Sequence, residues 1–103
     1  MLTVTKTVDE YRLCHSNISA EHNFSYSFNT SDLPFGAEIH FRSLFVTNNK
    51  HAYQLDHKQE DELIAILSKI IHEKSDYIFS GQLHKTYLIE LIHFITKLYY
   101  NCR

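Results

Sequence analysis

The chain has 103 residues, of which 44% are apolar and 14% aromatic, with only two glycines and one proline. Disordered chains have few aromatic residues and a high net charge, so this composition argues against disorder. It predicts one folded domain over residues 1–103. The formal net charge is −2, and lysine and arginine do not cluster, which argues against direct binding of nucleic acid through phosphate contacts.

Two stretches in the first half of the chain have the two-residue periodicity of β-strands. In residues 2–8, threonines alternate with Leu2, Val4, Lys6 and Val8, which predicts a short strand. Phe24, Tyr26 and Phe28 alternate with small polar residues, which is typical of a half-buried strand. Residues 9–22, between these stretches, fit either a helical turn or a loop.

A third run with strand periodicity covers residues 37–47. It would place Ile39, Phe41 and Phe45 on one face, and on the other His40, Arg42, Leu44 and Val46. The segment before this run is dense in turn residues and contains Pro34 and Gly36. Consecutive strands joined by such a segment usually pair with each other. We therefore expect residues 23–30 and 37–47 to form an antiparallel hairpin.

The second half of the chain has helical periodicity. Asp56 followed by Gln59 forms a capping box, in which each side chain satisfies a backbone N–H of the first helical turn. Apolar residues then recur at helical spacing and form one stripe. The stripe consists of Leu63, Ile66, Leu67, Ile70 and Ile71. These features predict a first helix over residues 56–74.

A second helix is predicted over residues 80–100, and its apolar arc is wider than one packing face needs. A helix that is apolar over most of its circumference is buried on more than one side. Since a short chain offers few internal partners, we expect this helix to form a homodimer interface, although the first helix and the sheet together are the alternative cover. The expected interface consists of Tyr87, Leu88, Leu91, Ile92, Ile95, Leu98 and Tyr99.

These elements predict the α+β class. The expected architecture is a small antiparallel β-sheet in residues 1–50, followed by an antiparallel two-helix hairpin. The strand order is not predictable from the sequence.

The aromatic residues of the first half fit either a plain hydrophobic core or an apolar ligand pocket, and core is the more frequent outcome in a small domain. A pocket would need polar side chains to orient its ligand. The candidate pocket residues are His22, Phe24, Tyr26, Phe28, His40, Phe41, Arg42 and Tyr53.

The sequence contains eight histidines and two cysteines. A structural zinc site uses four Cys or His ligands in two closely spaced pairs, and this sequence does not have that spacing. The nearest approach is Cys14, His15 and His22. Cys14 beside His15 also suggests a thiol nucleophile with its base, but neighbours on a strand point to opposite faces. We find no catalytic motif, so we expect neither an enzyme nor a cofactor, and we expect free thiols.

A resemblance covers the segment from Phe41 to Tyr100. A strand-like run and a polar linker lead into the helix Glu62–Glu73, and the apolar stretch Tyr87–Tyr99 follows. This order resembles the end of the effector-binding and dimerisation domain of AraC-family transcription regulators. The resemblance implies a cupin-like barrel, an antiparallel helix pair that dimerises, and a helix-turn-helix domain beyond a linker. Since the chain has too few strand residues for a complete barrel and no helix-turn-helix, it implies a reduced relative or a piece of a regulator.

The expected function is therefore a regulatory, non-catalytic module for dimerisation or ligand sensing within transcription control. Its partners would be a second copy, and a regulator protein or small-molecule effector. The alternative is a stand-alone protein-binding inhibitor such as an antitoxin, immunity protein or anti-activator, whose acidic balance would suit a basic target. No signal peptide or membrane-length apolar run is present in this sequence, so we expect a cytoplasmic protein that does not bind membranes.

Overall fold

The computed structural model describes residues 1–16, 24–72 and 80–101. The chain divides into two compact units, Met1–Leu55 and Asp56–Arg103. The first unit contains the strands β1 (Leu2–Lys6), β2 (Glu10–His15), β3 (Phe24–Asn29) and β4 (Lys50–Tyr53), the helix α1 (Phe35–Arg42), and two short 3-10 turns, Thr30–Asp32 and Ser43–Phe45. The second unit contains the helices α2 (His57–His72) and α3 (Ser80–Asn101).

Strands β1 and β2 form a tight hairpin at the start of the chain. The N–H of Thr7 donates to the carbonyl of Glu10 over 2.9 Å, which leaves two residues in the loop. At the open end, the N–H of Ser16 donates to the carbonyl of Met1 over 3.1 Å. The strand predicted within residues 2–8 is confirmed, and its partner strand comes from the segment whose conformation the sequence did not determine.

The four strands form one antiparallel sheet in the order β3-β2-β1-β4. Because strand residues alternate between faces, the register collects the apolar and aromatic side chains on one face. That face carries Leu2, Val4, Lys6, Tyr11, Leu13, His15, Phe24, Tyr26, Phe28, His51 and Tyr53. The opposite face carries small or charged side chains, namely Thr3, Thr5, Arg12, Cys14, Ser25, Ser27, Lys50 and Ala52. The first face holds most of the core residues of this unit.

The expected hairpin between residues 23–30 and 37–47 is wrong, because most of the second segment is helical. Helix α1 begins after Pro34, whose carbonyl accepts a hydrogen bond from the N–H of Glu38 over 2.9 Å. Strand β3 pairs with β2 instead. The alternating residues of this segment also contain a helical pattern, since the buried positions Glu38, Phe41 and Phe45 follow at spacings of three and four.

Strand β4 lies where the sequence indicated only a polar linker. It pairs antiparallel with β1, with Leu2 opposite Tyr53 and Val4 opposite His51. The strand has only four residues, so its alternation was too short to distinguish it from a loop. Both neighbours of the central β1 strand thus come from segments in which the sequence did not predict a strand.

The second unit is the predicted helical hairpin. The N–H of Gln59 donates to Oδ1 of Asp56 over 2.8 Å, and the N–H of Asp56 donates to Oε1 of Gln59 over 3.1 Å. The predicted capping box is therefore confirmed. Lys69 pairs with Glu90 over 3.3 Å, and Glu62 with Lys97 over 3.7 Å. Since the earlier residue of α2 pairs with the later residue of α3, the two helices run antiparallel.

The α+β class with a small antiparallel sheet and a helical hairpin is confirmed. The predicted end of the first helix at residue 74 lies outside the described residues. Within residues 1–16, 24–72 and 80–101, no helix has the length and apolar character needed to cross a membrane.

Candidate interaction surface

A buried hydrogen bond joins α1 to the middle of the sheet. The phenol of Tyr11 donates to Oε2 of Glu38 over 2.6 Å, and both residues are buried. Burial raises the pKa of Tyr11 well above its usual range, and the hydrogen bond to Glu38 and the charge of that carboxylate raise it further, against a smaller lowering effect of Arg42. Tyr11 is therefore a protonated donor at neutral pH.

The second oxygen of the same carboxylate holds an arginine at the surface. Oε1 of Glu38 lies 3.1 Å from a guanidinium nitrogen of Arg42, one helical turn further along α1. The side chain of Arg42 is half exposed, whereas Glu38 is largely covered. The carboxylate thus connects the core to the surface, and it restricts where the guanidinium can lie.

An aromatic cluster surrounds this hydrogen bond. The ring of Tyr11 lies 5.4 Å from that of Phe28, 4.9 Å from that of Phe41 and 5.7 Å from that of Phe45, measured between centroids. Aromatic pairs at such separations stabilise a core beyond their simple burial. Phe28 and Phe41 were candidates for both core and pocket, and the structure places them in the core.

A groove lies between the β1–β2 turn and the end of α1. Its lining consists of Thr5, Lys6, Thr7, Val8, Arg42, Phe45, Val46 and Asn49, and its volume is about 660 Å³. This volume falls within the range of roughly 300–1,000 Å³ typical of ligand pockets. Val8 is 95% exposed and Val46 is 79% exposed, so the groove is open to solvent between them.

The charged residues that line this groove are both cations, Lys6 and Arg42, and its lining contains no carboxylate. Nζ of Lys6 donates to the carbonyl of Thr7 over 2.8 Å and lies 5.7 Å from the centroid of the Tyr11 ring. These contacts hold the ammonium group beside the groove. An anionic group bound in the groove would therefore be near the ammonium of Lys6 and near the guanidinium of Arg42, whose charge is partly offset by Glu38.

The apolar surface continues along α1. Phe35 is 81% exposed and Ile39 is 44% exposed. Ile39 follows Phe35 by four residues, and Arg42 follows Ile39 by three. Residues at these spacings lie on one side of a helix. We call the groove residues Val8, Arg42 and Val46, together with Phe35 and Ile39, the docking surface. Scattered exposed apolar residues are ordinary, but a contiguous group of large ones is typical of a contact site.

The structure does not bring the predicted pocket residues together. Tyr53 lies on β4 and Phe24 and Tyr26 on β3, at opposite edges of the sheet. His40 is exposed on α1, and His22 lies outside the described residues. Arg42 is the predicted pocket residue that lines the groove. The sequence did not identify Lys6, Val8 and Val46 as groove residues. Apolar residues close to cations in turn segments were the feature that could have indicated them.

The residues of the predicted dimer interface are covered within one chain. Leu88, Leu91, Ile92, Ile95 and Leu98 are buried, and Tyr87 and Tyr99 are half-buried. The width of the apolar arc on α3 therefore does not by itself require a second subunit. A dimer through these residues stays a prediction.

The structure separates Cys14 from His15. Cys14 is a free, exposed thiol on the polar face of the sheet, whereas His15 is buried on the other face and stacks on Phe24 with 5.1 Å between ring centroids. The expected separation of the two side chains is confirmed. In the described part of the chain, no three His, Cys, Asp or Glu side chains form a group suited to a metal ion.

The chain was compared with known proteins at three levels. No family model matches it, and no curated protein and no solved structure is significantly similar to it. The geometry of the docking surface and the physical chemistry of its residues therefore carry the functional argument.

Proposed function

We propose that this protein is a non-catalytic regulatory module that binds a segment of a partner protein on the docking surface. The observation that carries this proposal is the exposure of Val8 and Val46, two apolar side chains that line one open groove. Phe35, at the start of α1, is also exposed. Leaving such side chains in water forgoes about 1.5–3 kcal/mol for each one that a partner would cover. A partner that covers them recovers part of this free energy.

The charges of the groove restrict the chemistry of the partner. Lys6 and Arg42 are the charged lining residues, and Arg42 is positioned by Glu38 rather than free to move away. A bound segment that places a carboxylate next to its apolar side chains would match both features. The net charge of the whole chain suggested a basic target, but the groove itself favours an acidic one.

The open shape of the groove favours a peptide segment over a small effector. Ligand pockets bury most of their ligand, and the most exposed wall residues here, Val8 and Val46, leave the groove open. The narrower expectation, a role in transcription control as an AraC-like module, rests on the resemblance alone, and a cytoplasmic location stays an expectation from the sequence. A protein-binding inhibitor is equally compatible with the docking surface.

Selection of peptides from a displayed random library against the purified chain tests this proposal. We expect the recovered peptides to combine large apolar residues with Asp or Glu. The substitution Val46→Asp should reduce their affinity at least tenfold, because it places a charge in the apolar wall and repels the peptide carboxylate. The matched control is Thr47→Asp, an exposed neighbour that does not line the groove.

Two results would contradict the proposal. One is a selection that enriches no common sequence. The other is a set of peptides whose binding responds equally to Val46→Asp and Thr47→Asp.

A further inference from the structure

Strand β3 forms one edge of the sheet, and its outer side is unusually well suited to pairing. In the described part of the chain, β2 is the strand that pairs with it. An edge strand presents unpaired N–H and C=O groups and can act as a template for another strand. The six residues of β3, Phe-Ser-Tyr-Ser-Phe-Asn, include neither a charge nor a proline.

The hydrogen bonds of the sheet identify which backbone groups face outward. The N–H of Thr30 donates to the carbonyl of Asp9 over 2.9 Å, in the same register as the β2–β3 pairing. Hydrogen-bonded pairs alternate with non-bonded ones in an antiparallel ladder. Counting by twos from this bond, Phe24, Tyr26 and Phe28 bond to β2. The N–H and C=O groups of Ser25 and Ser27 therefore point away from the sheet.

The opposite edge differs in its charge. The N–H of Lys6 donates to the carbonyl of Asn49 over 2.8 Å, so the outward backbone groups of β4 belong to Lys50 and Ala52. A lysine on an edge strand discourages pairing with another strand, because desolvating its charge is costly. Among the described residues, the β4 edge therefore carries a charge that discourages pairing, and strand β3 carries none.

We propose that β3 pairs antiparallel with β3 of a second copy of this chain, about a two-fold axis at Tyr26. Ser25 of each copy lies opposite Ser27 of the other, so the outward N–H and C=O groups of both serines are bonded. Phe24 lies opposite Phe28 of the second copy, and Tyr26 lies opposite its own equivalent. The two four-stranded sheets join into one continuous sheet.

Self-complementarity favours a second copy over another protein. A two-fold axis brings residues at the centre of β3 near their equivalents in the second copy. A charged residue there would be repelled by its own equivalent, and β3 contains no charged residue. Aromatic pairs across the strands add to the stability of one face. After pairing, the edges that remain are the two β4 strands with Lys50, so the assembly stops at a dimer.

The register about Tyr26 also uses the free groups best. Moving the axis to Ser27 would place Ser25 opposite Asn29, whose N–H already donates to Oδ2 of Asp32 over 2.9 Å. In that register, the carbonyl of Ser25 would have to compete with Asp32 for the N–H of Asn29. This dimer is independent of the docking surface and differs from the predicted contact through α3.

Sedimentation equilibrium over a range of protein concentrations is the test, with the wild-type chain, Ser27→Pro and Ala52→Pro. Proline removes an N–H and is tolerated on an edge strand where that N–H faces solvent. Ser27→Pro should shift the dissociation constant at least tenfold towards monomer. Ala52→Pro makes the same change at the β4 edge and should leave the dimer intact. A monomeric wild-type chain, or a Ser27→Pro dimer as tight as the wild type, would overturn the proposal.

Two further measurements keep the test decisive if a proline variant does not fold. In the wild-type chain, the amide hydrogens of Ser25 and Ser27 should exchange more slowly as concentration rises; exchange independent of concentration would overturn the pairing. In the proposed register, the double variant Ser25→Lys/Ser27→Lys should dissociate, whereas Ser25→Glu/Ser27→Lys should associate. Equal association of both variants would refute this register.

Discussion

The two units of the chain are stabilised in different ways. The core of the first unit contains a buried polar contact, from Tyr11 to Glu38, inside an aromatic cluster. The core of the second unit is mostly aliphatic, and its ion pairs lie at the surface with both partners about half exposed. The stability of the first unit therefore depends on the geometry of particular atoms, whereas that of the second depends on filled volume.

The largest expected effect comes from removing volume in the helical unit. Leu91 is fully buried on α3, and Leu91→Ala should reduce the free energy of unfolding by about 2–5 kcal/mol, because a cavity is left behind. Ile89→Ala on the same helix, at a position 41% exposed, is the control and should cost much less. Denaturant unfolding followed by circular dichroism measures both. Equal losses would show that packing does not dominate this unit.

A smaller loss is expected from breaking the buried contact of the sheet unit. Tyr11→Phe leaves one oxygen of Glu38 without its donor, which should cost about 1–3 kcal/mol. The double-mutant cycle of Tyr11→Phe with Glu38→Ala isolates the pair energy, since neither change alone does so. A coupling energy near zero in denaturant unfolding would contradict the role given to this hydrogen bond.

The raised pKa of Tyr11 should make the stability of the fold depend on pH in the alkaline range. The pKa of Tyr11 is raised in the folded state by burial and by Glu38, so the folded chain keeps a proton that the unfolded chain releases. This contribution to stability is complete below the unfolded pKa near 10 and is lost as pH rises above it. The pKa of Tyr26 is also raised, first by burial and then by the charge of Asp32.

Unfolding midpoints measured between about pH 9 and pH 12 test this prediction, a window around the ordinary tyrosine pKa. The wild-type chain should lose stability through this window, by up to about 1.4 kcal/mol per pH unit for each proton involved. Tyr11→Phe should make this loss of stability with pH less steep. The part of the loss that remains in this variant should come from Tyr26. A decline of the same slope in Tyr11→Phe would contradict the assignment.

The smallest effect belongs to the surface ion pairs of the helical unit. Exposed pairs contribute roughly 0.2–1 kcal/mol, because water and salt screen the charges. Lys97→Met should therefore change the unfolding free energy by less than Leu91→Ala does, and added salt should reduce the difference from wild type. A loss comparable to that of the buried leucine would remove the contrast between packing and charge in this unit.

Local signals explain why the helical unit was predictable. The capping box needs only Asp56 and Gln59, three residues apart, and the apolar stripes repeat every turn. Within the described residues, the first helix begins at residue 57 where residue 56 was predicted, and the second covers residues 80–101 where 80–100 was predicted. Such differences are the usual uncertainty of helix ends. The sheet order was not predictable, because strand pairing depends on residues far apart in the sequence.

The errors in the sheet unit have specific causes. The pattern of residues 37–47 satisfies strand and helical spacing at once, and the contact between Tyr11 and Glu38, 27 residues apart, belongs to the helical alternative. The docking surface combines Val8 from one turn with Val46 from another, and no local motif links them. Of the predicted pocket residues, Arg42 alone was placed on this surface by the described structure.

Backbone amide chemical shifts, measured during titration with a peptide from the library selection, would show where on this chain the partner segment binds. The largest changes should map to Val8, Arg42 and Val46, and extend along α1 to Phe35. Changes concentrated instead on α3, between Tyr87 and Tyr99, would contradict binding on the docking surface and would point to a contact through the second helix.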